Sequence, residues 1–110
     1  RPDARWRKSP KTIERLVEVQ SAALRNAARV LRPGGTLVYA TCTISRRENE
    51  DRVAALLAEA GTGEVPQLEL DDLGALAPAL RSTAEPRCLQ LRPDRDRTTG
   101  FFVARLKRHD

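Results

Sequence analysis

From Gly35 to Thr43 the chain carries β-branched and aromatic residues and no charge. Such a run reads as a short strand buried on both faces, of the kind found inside parallel sheets. A strand of this kind constrains its surroundings, because its backbone needs partners on both edges and its side chains need cover on both faces. The flanking sequence offers that cover. Upstream, Ile13, Leu16, Val17, Leu24, Ala27, Ala28 and Leu31 repeat at helical spacing from Thr12, while Arg15, Glu18, Arg25 and Arg29 fall on the other side. Arg32-Pro33-Gly34-Gly35 ends that helix, since proline cannot continue it and glycine allows the turn. Downstream, Ser45-Arg46-Arg47-Glu48 fits a capping box with Ser45 as N-cap. Val53, Leu56, Leu57 and Ala60 then form the buried stripe of a second helix that stops at Gly61. Helix, strand, helix is a slice of a wound α/β sheet.

The remainder is less regular. Gln67 to Leu70 reads as a short strand, and Leu73 to Leu80 as a helical turn interrupted by Pro78. Arg87 to Leu91 and Phe101 to Leu106 read as two strands of a hairpin joined by the polar segment from Arg92 to Gly100. The expected organisation is a basic loop over 1–11, helix-strand-helix over 12–60, an irregular segment over 61–86, and a terminal hairpin and tail over 87–110. One central strand and a hairpin do not complete a parallel sheet. Further strands are expected upstream of Arg1 or from another chain, and the lack of any methionine points the same way.

Charge bears on partners. Lys+Arg number 20 against Asp+Glu 15, a formal +5. That balance suits an anionic partner such as RNA, and it equally follows from an arginine- and alanine-rich composition. Arg5, Trp6 and Arg7 belong to a basic cluster around the only tryptophan, suited either to phosphates and an unpaired base or to a solvated loop anchored by Trp6. No apolar run approaches the ~20 residues of a membrane span, and no signal peptide is evident, so the cytoplasm is expected. Two cysteines are too few for a disulfide scaffold. A single histidine, His109, far from both cysteines, gives no metal site, and it reads as part of a free tail.

Cys42 carries the candidate chemistry. Ligand crevices of open α/β sheets lie beyond the carboxyl ends of the strands, which is where this thiol falls. A helix beginning near Ser45 would also turn its positive end toward the thiol and favour the thiolate. The competing reading is a small buried hydrophobe. Cys88, inside a presumed strand, is read as packing.

Taken together, Pro2-Asp3-Ala4-Arg5-Trp6, Leu31-Arg32-Pro33-Gly34-Gly35, the strand ending Ala40-Thr41-Cys42-Thr43, Glu48-Asn49-Glu50 and Gly100-Phe101-Phe102 resemble the C-terminal part of the RNA cytosine-5 methyltransferases. The nearest resemblance is to the RsmB/Sun (Fmu) branch of the NOL/NOP/Sun family. It implies a Rossmann-like fold, S-adenosylmethionine as methyl donor, and a cytosine of ribosomal RNA, 16S in bacteria, as substrate. It also implies that Cys42 is the nucleophile that adds to the base. Thr41 and Thr43 are expected to shape its surroundings, Glu48 and Asn49 to open the following helix and fix the turn, and Phe101 and Phe102 to close the core. Arg5, Trp6 and Arg7 would be RNA contacts. The family's Gly-rich cofactor segment and its second cysteine, in a Pro-Cys motif, lie upstream of the region represented here. The expectation is therefore the C-terminal portion of a methyltransferase sheet, ending in an antiparallel hairpin and completed by a missing N-terminal part. The rival expectation is a noncatalytic module that binds RNA or a protein partner.

Overall fold

The computed structural model describes residues 9–96 and 100–109. Its elements follow in the order α1 (Pro10–Arg29), β1 (Thr36–Thr41), α2 (Glu50–Glu59), β2 (Leu68–Leu70), 3-10 turns at Leu73–Ala75 and Pro78–Leu80, β3 (Leu89–Leu91), the single turn α3 (Pro93–Asp96), and β4 (Phe101–Arg108). The last strand is the centre of the sheet. β1 pairs along one edge of β4, with Thr36 opposite Lys107 and Thr41 opposite Phe102. Along the other edge, Leu70 of β2 stands opposite Leu106, and Leu89 of β3 opposite Val103. All three pairings are antiparallel, so β1 and β2 run parallel to each other on either side of β4.

Alternation along β4 explains its central place. Phe102, Ala104 and Leu106 are fully buried, and they meet Leu68, Leu70, Leu24, Ala28, Val53 and Leu56 in one core. Tyr39 packs edge-on against Phe102, with ring centroids 6.3 Å apart. α1 lies against α2 and β1, and α2 against β2, so both helices cover the same face of the sheet. Burying each large apolar side chain there contributes roughly 1.5–3 kcal/mol.

α1 begins where its sequence allows. The Ser9 side chain accepts the Thr12 N–H at 3.1 Å, and Pro10 takes the first turn, where its missing donor costs nothing. At the far end Gly34 adopts φ 79°, and its N–H donates to the Arg108 carbonyl at 3.0 Å, which leads the chain into register beside β4.

Two expectations about β1 and α2 are corrected. Among the described residues β1 is not covered on both faces, and its partner strand is the antiparallel β4: exposed and half-buried residues alternate along it, and Val38 is 57% exposed. Its second edge has no partner strand among the described residues. α2 starts at Glu50, not near Ser45, and its N-cap Asn49 makes no side-chain capping bond. Glu48 is instead 2% exposed, inside the protein. Two smaller expectations also change. Phe102 closes the core as expected, but Phe101 is 37% exposed. His109 is not a free tail residue: its N–H donates to the Gln67 carbonyl at 3.1 Å.

Candidate active site

Cys42 comes directly after β1 and is exposed, whereas Cys88 is fully buried in the core. The small-hydrophobe reading thus fits Cys88 and not Cys42. Burial, with Glu85 and Glu50 adding to it, pushes the Cys88 thiol up to about 12, so Cys88 stays protonated at neutral pH.

The backbone on both sides of Cys42 is held by buried amides. The Thr41 hydroxyl donates to Asn49 Oδ1 at 2.5 Å. Asn49 Nδ2 donates to the Thr43 carbonyl at 2.9 Å and to Gln90 Oε1 at 3.0 Å. Gln90 Nε2 in turn donates to the Thr43 carbonyl at 3.2 Å and to the Leu91 and Phe101 carbonyls, each at 3.1 Å. Asn49 is entirely buried and Gln90 is 6% exposed, so these bonds act in a medium of low dielectric where they strengthen one another. Thr43 also turns the chain, since its hydroxyl accepts the Ser45 N–H at 3.1 Å. Gly100 leaves room for this loop: a Cβ on it would stand only 3.0 Å from Ile44 Cγ2.

Glu48 acts one layer further in. Its carboxylate accepts from Gln20 Nε2 at 3.3 Å, and its carbonyl accepts from the Tyr39 hydroxyl at 2.5 Å. Burial, reinforced by the Glu48 charge, pushes the Tyr39 hydroxyl up to about 12, so Tyr39 remains a donor. The structure therefore brings Thr41, Thr43 and Asn49 around Cys42, and puts Glu48 behind them. The expected helix dipole is displaced, because α2 begins eight residues after Cys42 and carries Glu50 and Asp51 in its first turn. Arg5, Trp6 and Arg7 lie outside the described residues.

Gln90 is the site residue that sequence reasoning missed. Its signal was a lone amide between Leu89 and Leu91 in a strand, at the alternate position that faces the core. Among the described residues no cluster of three or more His, Cys, Asp or Glu could hold a metal ion. No helix among them is long and apolar enough to cross a membrane.

Comparison with known proteins identifies the setting of this site. The family model of the 16S rRNA methyltransferase RsmB/F matches residues 1–107. The chain belongs to the RsmB/F family. Probable ribosomal RNA small subunit methyltransferase B of Bacillus subtilis is 35% identical over 108 residues, covering 98% of this chain and 24% of that protein. Ribosomal RNA small subunit methyltransferase F of Shigella flexneri is 40% identical over 107 residues, covering 97% of this chain and 22% of that protein. The chain thus spans less than a quarter of these RsmB/F relatives. Among solved structures, that of PH0851 superposes with a TM-score of 0.82 at 33% identity, over 97% of this chain and 22% of that one. A methyltransferase homolog from Pyrococcus horikoshii superposes with a TM-score of 0.77 at 26% identity, over 92% of this chain and 33% of that one. NSun6 from Pyrococcus horikoshii, crystallised with SFG, gives 0.76 at 28% identity, over 94% of this chain and 25% of that one. The antiparallel sheet centred on β4 is accordingly the C-terminal portion of a Rossmann-like methyltransferase fold.

Proposed function

We propose that this chain is the nucleophile-bearing part of an enzyme that methylates carbon 5 of a cytosine in 16S ribosomal RNA. The observation that carries this reading is an exposed Cys42, braced on both sides by buried hydrogen bonds, within a chain of the RsmB/F family. Carbon 5 of cytosine is a weak nucleophile. Addition of the Cys42 thiolate to carbon 6 shifts the electron pair of the 5,6 double bond toward carbon 5, which divides one difficult step into two easier ones. S-adenosylmethionine, when bound, supplies the methyl group that carbon 5 takes up. Loss of the carbon 5 proton then restores the double bond and expels the Cys42 thiolate. Thr41, Asn49 and Gln90 hold the backbone, so the thiol projects from a fixed strand end instead of a mobile loop. The base must leave its stack to meet it, which favours a single-stranded or flipped cytosine.

The donor's cradle is a separate matter. Arg32 to Gly35, a glycine-containing turn, lies at the opposite end of β1 from Cys42, and the N–H groups of Gly34 and Gly35 are bonded to the Arg108 and Arg32 carbonyls. We infer that the donor is held by parts of the enzyme outside these 110 residues, and that the 110 residues alone do not turn over. Taken alone they would act as a binding module for RNA or a partner. Arg5, Trp6 and Arg7 remain the proposed RNA contacts at the amino end, and a ribosomal RNA substrate implies the cytoplasm.

In the full-length protein, Cys42→Ala abolishes methylation of 16S rRNA transcripts while S-adenosylmethionine binding persists. Methylation that continues in this variant overturns the assignment.

A further inference from the structure

A recess of about 410 Å³ opens beside the Cys42 loop. Ile44, two residues after Cys42, forms part of its wall, and so does Gln90, which bonds to the Thr43 carbonyl. The charged groups lining it are Arg46, Arg81, Arg92 and Arg95 against one carboxylate, Glu50. Glu50 is buried and accepts a hydrogen bond from the Ser82 hydroxyl, so it is satisfied within the wall. Three of the arginines have carboxylate neighbours on the rim: Arg46 with Asp51 at 3.3 Å, Arg92 with Asp94 at 3.3 Å, and Arg95 with Asp96 at 2.7 Å. The Arg46–Asp51 and Arg92–Asp94 pairs are exposed, hold weakly and exchange readily for a better anion, whereas Arg95 is held more firmly by Asp96 and the Gln90 carbonyl. Arg81 differs. It is half-buried and has no ion-pair partner among the described residues.

Guanidinium groups match the oxygens of a phosphate, and a recess of this size admits a phosphate with its sugar. We propose that the recess is a phosphate subsite for the RNA strand next to the target cytosine, with Arg81 as its principal ligand. This rests on the reading that RNA is the substrate. A strand whose backbone is held there passes the Ile44 corner, so the adjoining nucleotide is delivered toward Cys42. Positioning of this kind carries no base specificity, because phosphate contacts fix register and not sequence.

The test uses the full-length protein carrying Cys42→Ala, so that binding is read apart from chemistry, with a 16S rRNA transcript as probe across a potassium chloride titration. Arg81→Gln weakens RNA binding about tenfold or more, as expected for one charge-assisted contact. The slope of log affinity against log salt falls by about 0.7, the share of one phosphate in a single strand. Arg81→Lys recovers part of the affinity, and S-adenosylmethionine binding is unchanged. Arg92→Gln, whose guanidinium is already paired with Asp94, moves RNA affinity the same way by a smaller factor. Unchanged affinity and salt slope in Arg81→Gln overturn the subsite while leaving the RNA reading intact. An equal loss from Arg25→Gln, on the helix layer and paired with Glu59, overturns it as general charge. Failure of the parent protein to bind the transcript at all removes the RNA reading itself.

Discussion

Asn49 shows how much one buried side chain can organise. Its amide serves the Thr41 hydroxyl, the Thr43 carbonyl and Gln90, on both sides of the exposed Cys42. Replacing it with alanine strands these polar partners in a dry interior, at a cost of about 1–3 kcal/mol. In Asn49→Ala, urea denaturation is expected to register that loss. Methylation by the full-length protein should fall further than the lost folded fraction explains, because the strand end is no longer fixed. Activity that merely tracks the folded fraction would reduce Asn49 to a structural residue. The place of Cys42 at a strand end could be read from the chain itself, since the uncharged β-branched run stops around that thiol. The partnership of Asn49 with Gln90 could not, because those residues are 41 positions apart and only the pairing of β3 with β4 brings them together.

At the scale of elements, the two main helices and the late hairpin follow from apolar spacing and turn residues. The misplaced start of α2 has a physical cause. Ser45 to Glu48 has the residue types of a capping box, but Glu48 is drawn inward by Gln20 and Tyr39, and the helix begins only after Asn49. Local propensity loses to a buried tertiary arrangement. The composition of β1 does not reveal that its partner among the described residues is the distant, antiparallel β4, because an apolar run does not state the direction of the strand beside it. The irregular segment between α2 and β3 is constrained by close packing at Gly74. A Cβ there would lie 2.0 Å from the Pro86 carbonyl oxygen, so backbone has to move. Gly74→Ala is therefore expected to destabilise the fold by about 1–3 kcal/mol, the usual range for overpacking. A thermal transition unchanged from the parent would contradict that packing.

The whole molecule has one covered and one open side. α1 and α2 bury Phe102, Ala104 and Leu106, while Val38 on the opposite face of β1 stays 57% exposed, and the second edge of β1 is unpaired among the described residues. A chain that spans 22–24% of the RsmB and RsmF relatives described above leaves ample sequence in those proteins to cover both. Cys42 stands at the end of that open-edged strand beside the Asn49 brace, and under the proposed function this is where a base and a donor held by other parts of the protein would meet. The most direct test is to incubate the full-length protein and S-adenosylmethionine with RNA containing 5-fluorocytosine, in which the carbon 5 proton that must leave is replaced by fluorine. Peptide mapping then locates the trapped bond. The account predicts a covalent RNA adduct on the peptide containing Cys42, and an adduct on any other cysteine, or methylation with no thiol adduct, would contradict it.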